Sequence, residues 1–239
     1  MLRLGDRPVA LIARANQLKS VWKKAVPDVS KCRFMTQLVL ALQDLQISNY
    51  EDALSLDEAI VVDQLFSHQV IVDFLREQKL KQLMASGVQI LDRYNTFIDT
   101  QVQINEGTVI YPGCIVEGMT IIGSDCEIGP GARIASCQIG NGVSVKDSTL
   151  CDSKVDDHTT IGPYAYLRPK SDIGKHVKIG DFVEVKNARV DDYSKVSHLS
   201  YIGDGSVGKN VNVGCGVVFV NYDGKKKNQT VIEDGAFIG

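Results

Sequence analysis

The chain has 239 residues, a formal net charge of −3 and 44% hydrophobic residues. That length builds one or two domains with a sizeable core, while the slight acidity gives no basis for binding nucleic acid or an anionic membrane. No stretch approaches the roughly 20 apolar residues of a membrane span.

The N-terminal segment lacks a signal-peptide layout, because its short apolar run is broken by Arg14. Residues 1–97 read as mainly helical with some strand. "VALIA" (9–13) fits a strand or a buried helical start, and periodicity does not decide between them. "FMTQLVLALQDLQ" (34–46) carries Leu38, Leu42 and Leu45 at helical spacing. Ser55, three residues before Glu58, has the form of a capping box. A long helix is expected after it, to about Ala85, with Val61, Leu65, Val72, Leu75 and Leu83 on one broad face and Gly87 as its stop.

From about Ile98 the pattern changes, and residues 98–239 form the second domain. Aliphatic residues recur in steps of six, with several of five, from Ile98, Ile104 and Ile110 to Val207, Val213 and Phe219. Glycine often follows, as in the Ile-Gly pairs at 122–123, 139–140, 161–162 and 202–203. A helix has no six-residue period. Short strands, each ended by a corner, satisfy the pattern. Three such sides close one coil of a hexapeptide β-helix, so the fold class is mainly β. Each coil contacts only its neighbours, and the ends of the stack need covers. The N-terminal helical region is placed to cover one end. The repeat is still running at Gly239, so a C-terminally shortened domain is expected.

The six cysteines are scattered, with no C-x-x-C pair. They read as reduced thiols in a cytoplasmic protein, not as a zinc cluster or a disulfide framework.

The repeat predicts which residues stack, because positions three sides apart lie one coil apart. Leu167 and Val185 stack, which brings Arg168 and Lys186 together at one corner. Ile202 lies one coil further and brings Tyr201 close, with His198 ahead of it on the same side. Val213 over Val196 puts Cys215 one coil above His198, with Asn212 nearby. Phe219 over Ile202 brings Asn221 and Tyr222 to the corner. Two stacked cations repel, and a phosphate would relieve that; the plain alternative is solvated surface charge with Glu184 as counterion. "NYDGKKKNQT" (221–230) breaks the period, as an extruded loop carrying Lys225, Lys226 and Lys227 would. His198 is a candidate general base, since an imidazole titrates near neutrality. His158 and His176 fall one coil apart, but zinc would need a third ligand, and no metal is assigned.

"GPYAYLRP", "IGDFVEVKNA", "SKVSHLSYIGDGSVGKNVNVGCG" and "NYDGKKKNQTVIEDGAFIG" closely resemble one family, the acetyltransferase domain of the bacterial bifunctional N-acetylglucosamine-1-phosphate uridyltransferase/glucosamine-1-phosphate N-acetyltransferase. The resemblance covers roughly residues 70–239. It implies a left-handed parallel β-helix, a homotrimer, and transfer of acetyl from acetyl-CoA to the amine of glucosamine 1-phosphate on the route to UDP-N-acetylglucosamine. On it, His198 matches the general base and Glu184 a residue that helps orient the site. Arg168, Lys186, Tyr201, Asn212 and Lys227 match sugar-phosphate contacts, and Asn221 and Tyr222 match acetyl-CoA contacts. Cys215 stands near the expected acetyl site, where the family usually has alanine. The family's Gly-rich nucleotide signature L-x-A-G-x-G-T-x-M is absent, so uridyltransferase activity is not expected. The alternative is a non-catalytic trimeric remnant that binds sugar phosphate or acts as a scaffold.

Overall fold

The computed structural model describes residues 2–4, 7–12, 60–62 and 65–239. The chain divides into two compact units, residues 1–75 and 76–239. In the first, strand Arg7–Ile12 pairs antiparallel with Leu2–Leu4 on one side and with Ile60–Val62 on the other. "VALIA" is therefore strand over its first four residues. Val61, expected on a helical face, is instead a strand residue opposite Leu11. The run Ile-Val-Val is β-branched throughout, and such residues favour a pleated surface over a helix. The segment 34–46 and the Ser55–Glu58 box lie outside the described residues.

Helix α1 spans Leu65–Ala85. It stops where Gly87 takes φ +91°, a left-handed conformation that glycine adopts without a Cβ penalty. The Val88 N–H donates back to the Leu83 carbonyl at 3.1 Å. The last three turns of α1 cover the first coil of the solenoid. Leu80 and Leu83 are buried in its core. Arg76 donates to the carbonyls of Arg93, Tyr94 and Thr96, and Lys79 donates to that of Val102 at 2.5 Å. The helix thus supplies donors to backbone carbonyls that have no coil beneath them.

The rest is a parallel β-solenoid of three faces. The first face has nine strands, from Gln89–Ile90 to Phe237–Ile238; the second has seven, from Phe97–Ile98 to Tyr201–Gly203; the third has eight, from Gln103–Ile104 to Thr230–Ile232. The stack begins at Gln89–Ile90, which pairs with Val109–Ile110. Every recurring aliphatic residue points inward. Ile110, Ile128, Ile161, Ile179 and Val196 are fully buried in one column, and Leu150, Leu167, Val185 and Ile202 in another. A buried side chain of this size is worth about 1.5–3 kcal/mol relative to exposure, and each coil repeats the contribution.

The corners are tight, and many carry a residue in left-handed conformation. Tyr164, Phe182 and Leu199 do so in successive coils, at φ 58°, 56° and 47°. Hydroxyls bridge successive coils where the third face turns into the first: Thr159 Oγ1 donates to the Gly174 carbonyl at 2.7 Å, and Ser194 Oγ to that of Gly208 at 2.6 Å. Among the described residues no buried side-chain nitrogen or oxygen lacks a partner. No described helix is long and apolar enough to cross a membrane.

Candidate functional site

The outer surface of the second face, near the C-terminal end of the stack, gathers the charged candidates. Two outward columns cross it. Tyr166, Glu184 and Tyr201 stand in register in one, and Val218 pairs above Tyr201. The other holds Lys186 opposite Gly203, with Arg168 one coil below Lys186: the Arg168 N–H donates to Val185 O at 2.8 Å, which continues the ladder past Leu167 and Val185. The predicted Arg168–Lys186 stack is therefore present, because the residues follow paired aliphatic positions.

Anions partner these cations. Glu184 Oε1 accepts from Arg168 Nη1 at 2.8 Å, and this bond raises the pKa of Arg168 further above its ordinary value. Lys227 Nζ lies 3.4 Å from Asp204 Oδ2. The Asn221 amide donates to the same Asp204 oxygen at 2.6 Å and to the Tyr201 hydroxyl at 3.4 Å. Asp204 also accepts from Asn187 at 2.7 Å, and this bond, then Lys227, holds its carboxyl below the usual range. Lys227 and, less strongly, Arg168 press on Lys186 and lower its pKa. Three cations thus meet two carboxylates, leaving a local positive surplus open to solvent.

The loop after Phe219 brings Lys227 there. Tyr222 and Lys227 pair antiparallel, and the Asn228 N–H donates to the Asn221 carbonyl at 2.7 Å. Asp223 Oδ1 caps the turn by accepting from the Lys225 and Lys226 N–H groups at 2.9 and 2.8 Å. Lys225 and Lys226 stay exposed at the tip, as does Tyr222. Gly203 has a steric role: a Cβ there would overlap the ring of Tyr201, which leans across it toward Asn221.

His198 stands at the opposite edge of this face. It ends the first-face strand Lys195–His198, and Tyr201 begins the second-face strand beyond the corner at Leu199. The expectation of one shared side is corrected: the aliphatic period counts sides but does not say where in each six the corner falls. Asn212 lies on the first face with His198, one coil above it. It pairs with Lys195 at the start of the first face, the corner away from Arg168 and Lys186. Cys215 does reach the position next above His198. Val196 pairs with Val213 before it, and the Gly216 N–H donates to the Leu199 carbonyl at 3.2 Å after it. Cys215 is exposed, whereas burial pushes the thiols of Cys114 and Cys137 up to about 11.

Sequence reasoning missed Asp181. It is the register partner of His198 one coil below, and its Oδ1 lies 2.5 Å from His198 Nδ1. This bond is the main cause lowering its pKa. The signal was available: Ile179 stacks under Val196, so the residues two positions on must stack as well. His158 and His176 do stack, with ring centroids 5.1 Å apart, but the next position holds Tyr193, whose ring packs on His176 at 4.9 Å. No group of three metal-ligating side chains occurs among the described residues.

No family model matches the chain. The bifunctional protein GlmU of Clostridioides difficile strain 630 is 57% identical over 167 residues, which covers 70% of this chain and 36% of that protein. Its counterpart in Alkaliphilus metalliredigens is 50% identical over 194 residues, covering 81% of this chain and 41% of its own length. The chain thus spans well under half the length of both relatives. Among solved structures, UDP-N-acetylglucosamine acyltransferase of Francisella novicida aligns over 60% of this chain and 67% of its own, at 15% identity and a TM-score of 0.41.

Proposed function

From its likeness to the bifunctional GlmU proteins, we propose that the chain carries an acetyltransferase site that moves acetyl from acetyl-CoA to the amine of glucosamine 1-phosphate. The observation that carries this reading is the cationic edge made by Arg168, Lys186 and Lys227 on a face whose other edge holds His198. A phosphate monoester offers the charge and acceptor oxygens that such an edge takes. Tyr201 lies between the edges with a hydroxyl for a sugar ring, and Asn221 stands beside it at the cationic edge. Residues 98–239 are assigned to this domain, as a left-handed β-helix that works as a homotrimer. Asn212, remote from the cationic edge within one chain, is assigned to substrate contact only in that assembly. Tyr222 and Cys215 are assigned to the acetyl-CoA side. Asn221, already bonded to Asp204, serves the boundary between the two substrates.

The chemistry is amide formation from a thioester. The sugar amine attacks the acetyl carbon, and His198 takes a proton from the nitrogen. The tetrahedral oxyanion collapses, the carbon–sulfur bond breaks, and the CoA thiolate leaves and is protonated. Holding both substrates on one face converts a bimolecular encounter into a unimolecular one.

One observation favours a second reading, a non-catalytic sugar-phosphate-binding scaffold: Glu184 and Asp204 already balance two of the three cations. Thiol release from acetyl-CoA, with and without glucosamine 1-phosphate, decides between them. Release that needs the sugar phosphate and falls at least about 100-fold in His198→Ala, the scale of a lost general base, supports acetyl transfer. Binding of the sugar phosphate with no thiol release favours the scaffold.

A further inference from the structure

His198 has one ring nitrogen engaged and one free. Nδ1 sits 2.5 Å from Asp181 Oδ1, and the side chain is 54% exposed. Asp181 comes from the coil beneath, where Lys178–Asp181 runs parallel to and in register with Lys195–His198. Its carboxyl titrates below the ordinary range, chiefly because of this bond, so it is ionised at neutral pH. An ionised carboxylate only accepts hydrogen bonds. The proton between the two atoms is therefore borne by Nδ1, and in the neutral ring Nε2 keeps the lone pair.

That arrangement matters because an isolated imidazole exchanges between two tautomers, and only the one with a free Nε2 lone pair can take a proton through that atom. Glu184 does not perform this service, since its carboxylate is turned to Arg168 on the other edge of the face. Ser200 is not an alternative partner either: its hydroxyl is directed to the carbonyls of His198 and Gly214.

We infer that Asp181 is the positioning residue of the site: it holds His198 in the Nδ1–H tautomer and fixes the ring so that Nε2 faces substrate. The backbone supports this geometry. Gly180, immediately before Asp181, lies so close under Ser197 that any Cβ would overlap the Ser197 carbonyl oxygen. Glycine there lets the two coils approach and brings the carboxylate to the ring.

The inference rests on the acetyl-transfer reading for its kinetic consequence but not for its structural one, so two measurements test it. The first is nitrogen-15 NMR of the histidine side chains in the intact chain, with His198→Ala used to assign the signal. The expected spectrum shows the neutral His198 ring as the Nδ1–H tautomer. In Asp181→Asn it becomes a mixture or the Nε2–H form, because the amide NH2 can donate to Nδ1. A wild-type ring already in the Nε2–H form overturns the inference, whether or not the protein is an enzyme. The second is steady-state kinetics. Asp181→Asn is expected to lower kcat at least about 100-fold, in line with the effect of mis-setting a catalytic imidazole tautomer, while both KM values stay within about threefold. Glu184→Gln, which acts on the Arg168 edge and not on the imidazole, is expected to show the opposite split, changing the sugar-phosphate KM more than kcat. An Asp181→Asn enzyme with kcat within threefold of wild type refutes the positioning role. If the wild type has no transferase activity, the acetyl-transfer reading fails and the tautomer spectrum alone judges Asp181.

Discussion

Replacing Arg168 by alanine tests the cationic edge most directly. In the folded chain the guanidinium is bonded to Glu184 at 2.8 Å and stands one coil below Lys186. Its removal has two effects on an incoming phosphate. A charge-assisted hydrogen bond is lost, worth about 1.5–3 kcal/mol. The Glu184 carboxylate also loses its partner and now faces the phosphate. Two unit charges about 5 Å apart interact by roughly 1–3 kcal/mol when the effective dielectric lies between 80 and 20. Both residues are more than a third exposed, so solvent screening favours the low end of that range. The sum is about 2–4 kcal/mol, or an affinity loss of about 30- to 700-fold. Isothermal titration calorimetry with glucosamine 1-phosphate at low ionic strength reads it. The double variant Arg168→Ala/Glu184→Gln separates the effects, because it removes the repulsion but not the lost bond. It should recover about tenfold of the affinity. A loss of less than threefold in the single variant would mean that Arg168 only neutralises Glu184 and that the phosphate binds elsewhere.

The remaining expectations concern protonation and thiol chemistry. Lys186 has its pKa lowered by Lys227 and Arg168, so part of its population is neutral at a lower pH than for an ordinary lysine. A bound anion favours the charged form, and binding at alkaline pH should therefore take up a proton; calorimetry in two buffers of different ionisation enthalpy measures the uptake, and Lys186→Met should reduce it. Equal apparent enthalpies for the wild type in the two buffers would contradict this assignment. Among the described residues Cys215 is the exposed thiol and stands beside His198, while Cys151 is half-buried and Cys114, Cys126 and Cys137 are buried. Iodoacetamide should block acetyl transfer, and Cys215→Ala should remain active and resist the reagent. Equal inactivation of the variant would place the sensitive group elsewhere.

The architecture was legible in the sequence because a solenoid is quasi-one-dimensional. Leu167, Val185, Val196 and Val213 each had to face inward, and stacking Leu167 with Val185 and Val196 with Val213 put Arg168 against Lys186 and Cys215 over His198. Periodicity could say nothing about the direction of a side chain at a corner. Whether His198 shared a side with Tyr201 depended on where the chain turned, and the turn lies at Leu199, whose φ of 47° no residue pattern announces. The choice between strand and helix for residues 9–13 and 60–62 was likewise non-local, because it rests on pairing across some fifty intervening residues.

What the sequence determined by itself is the repeat, its inward column and the presence of a histidine, three cations and two carboxylates within a few coils. What only the tertiary structure decided is their pairing. Glu184 went to Arg168 and Asp181 to His198. The physical reason is that an aliphatic period records burial, which is set by hydrophobic transfer and repeats coil by coil. The repeat sets Asp181 under His198, but whether two stacked surface groups bond depends on rotamers and on corner geometry at the scale of a single hydrogen bond, which a six-residue period does not record.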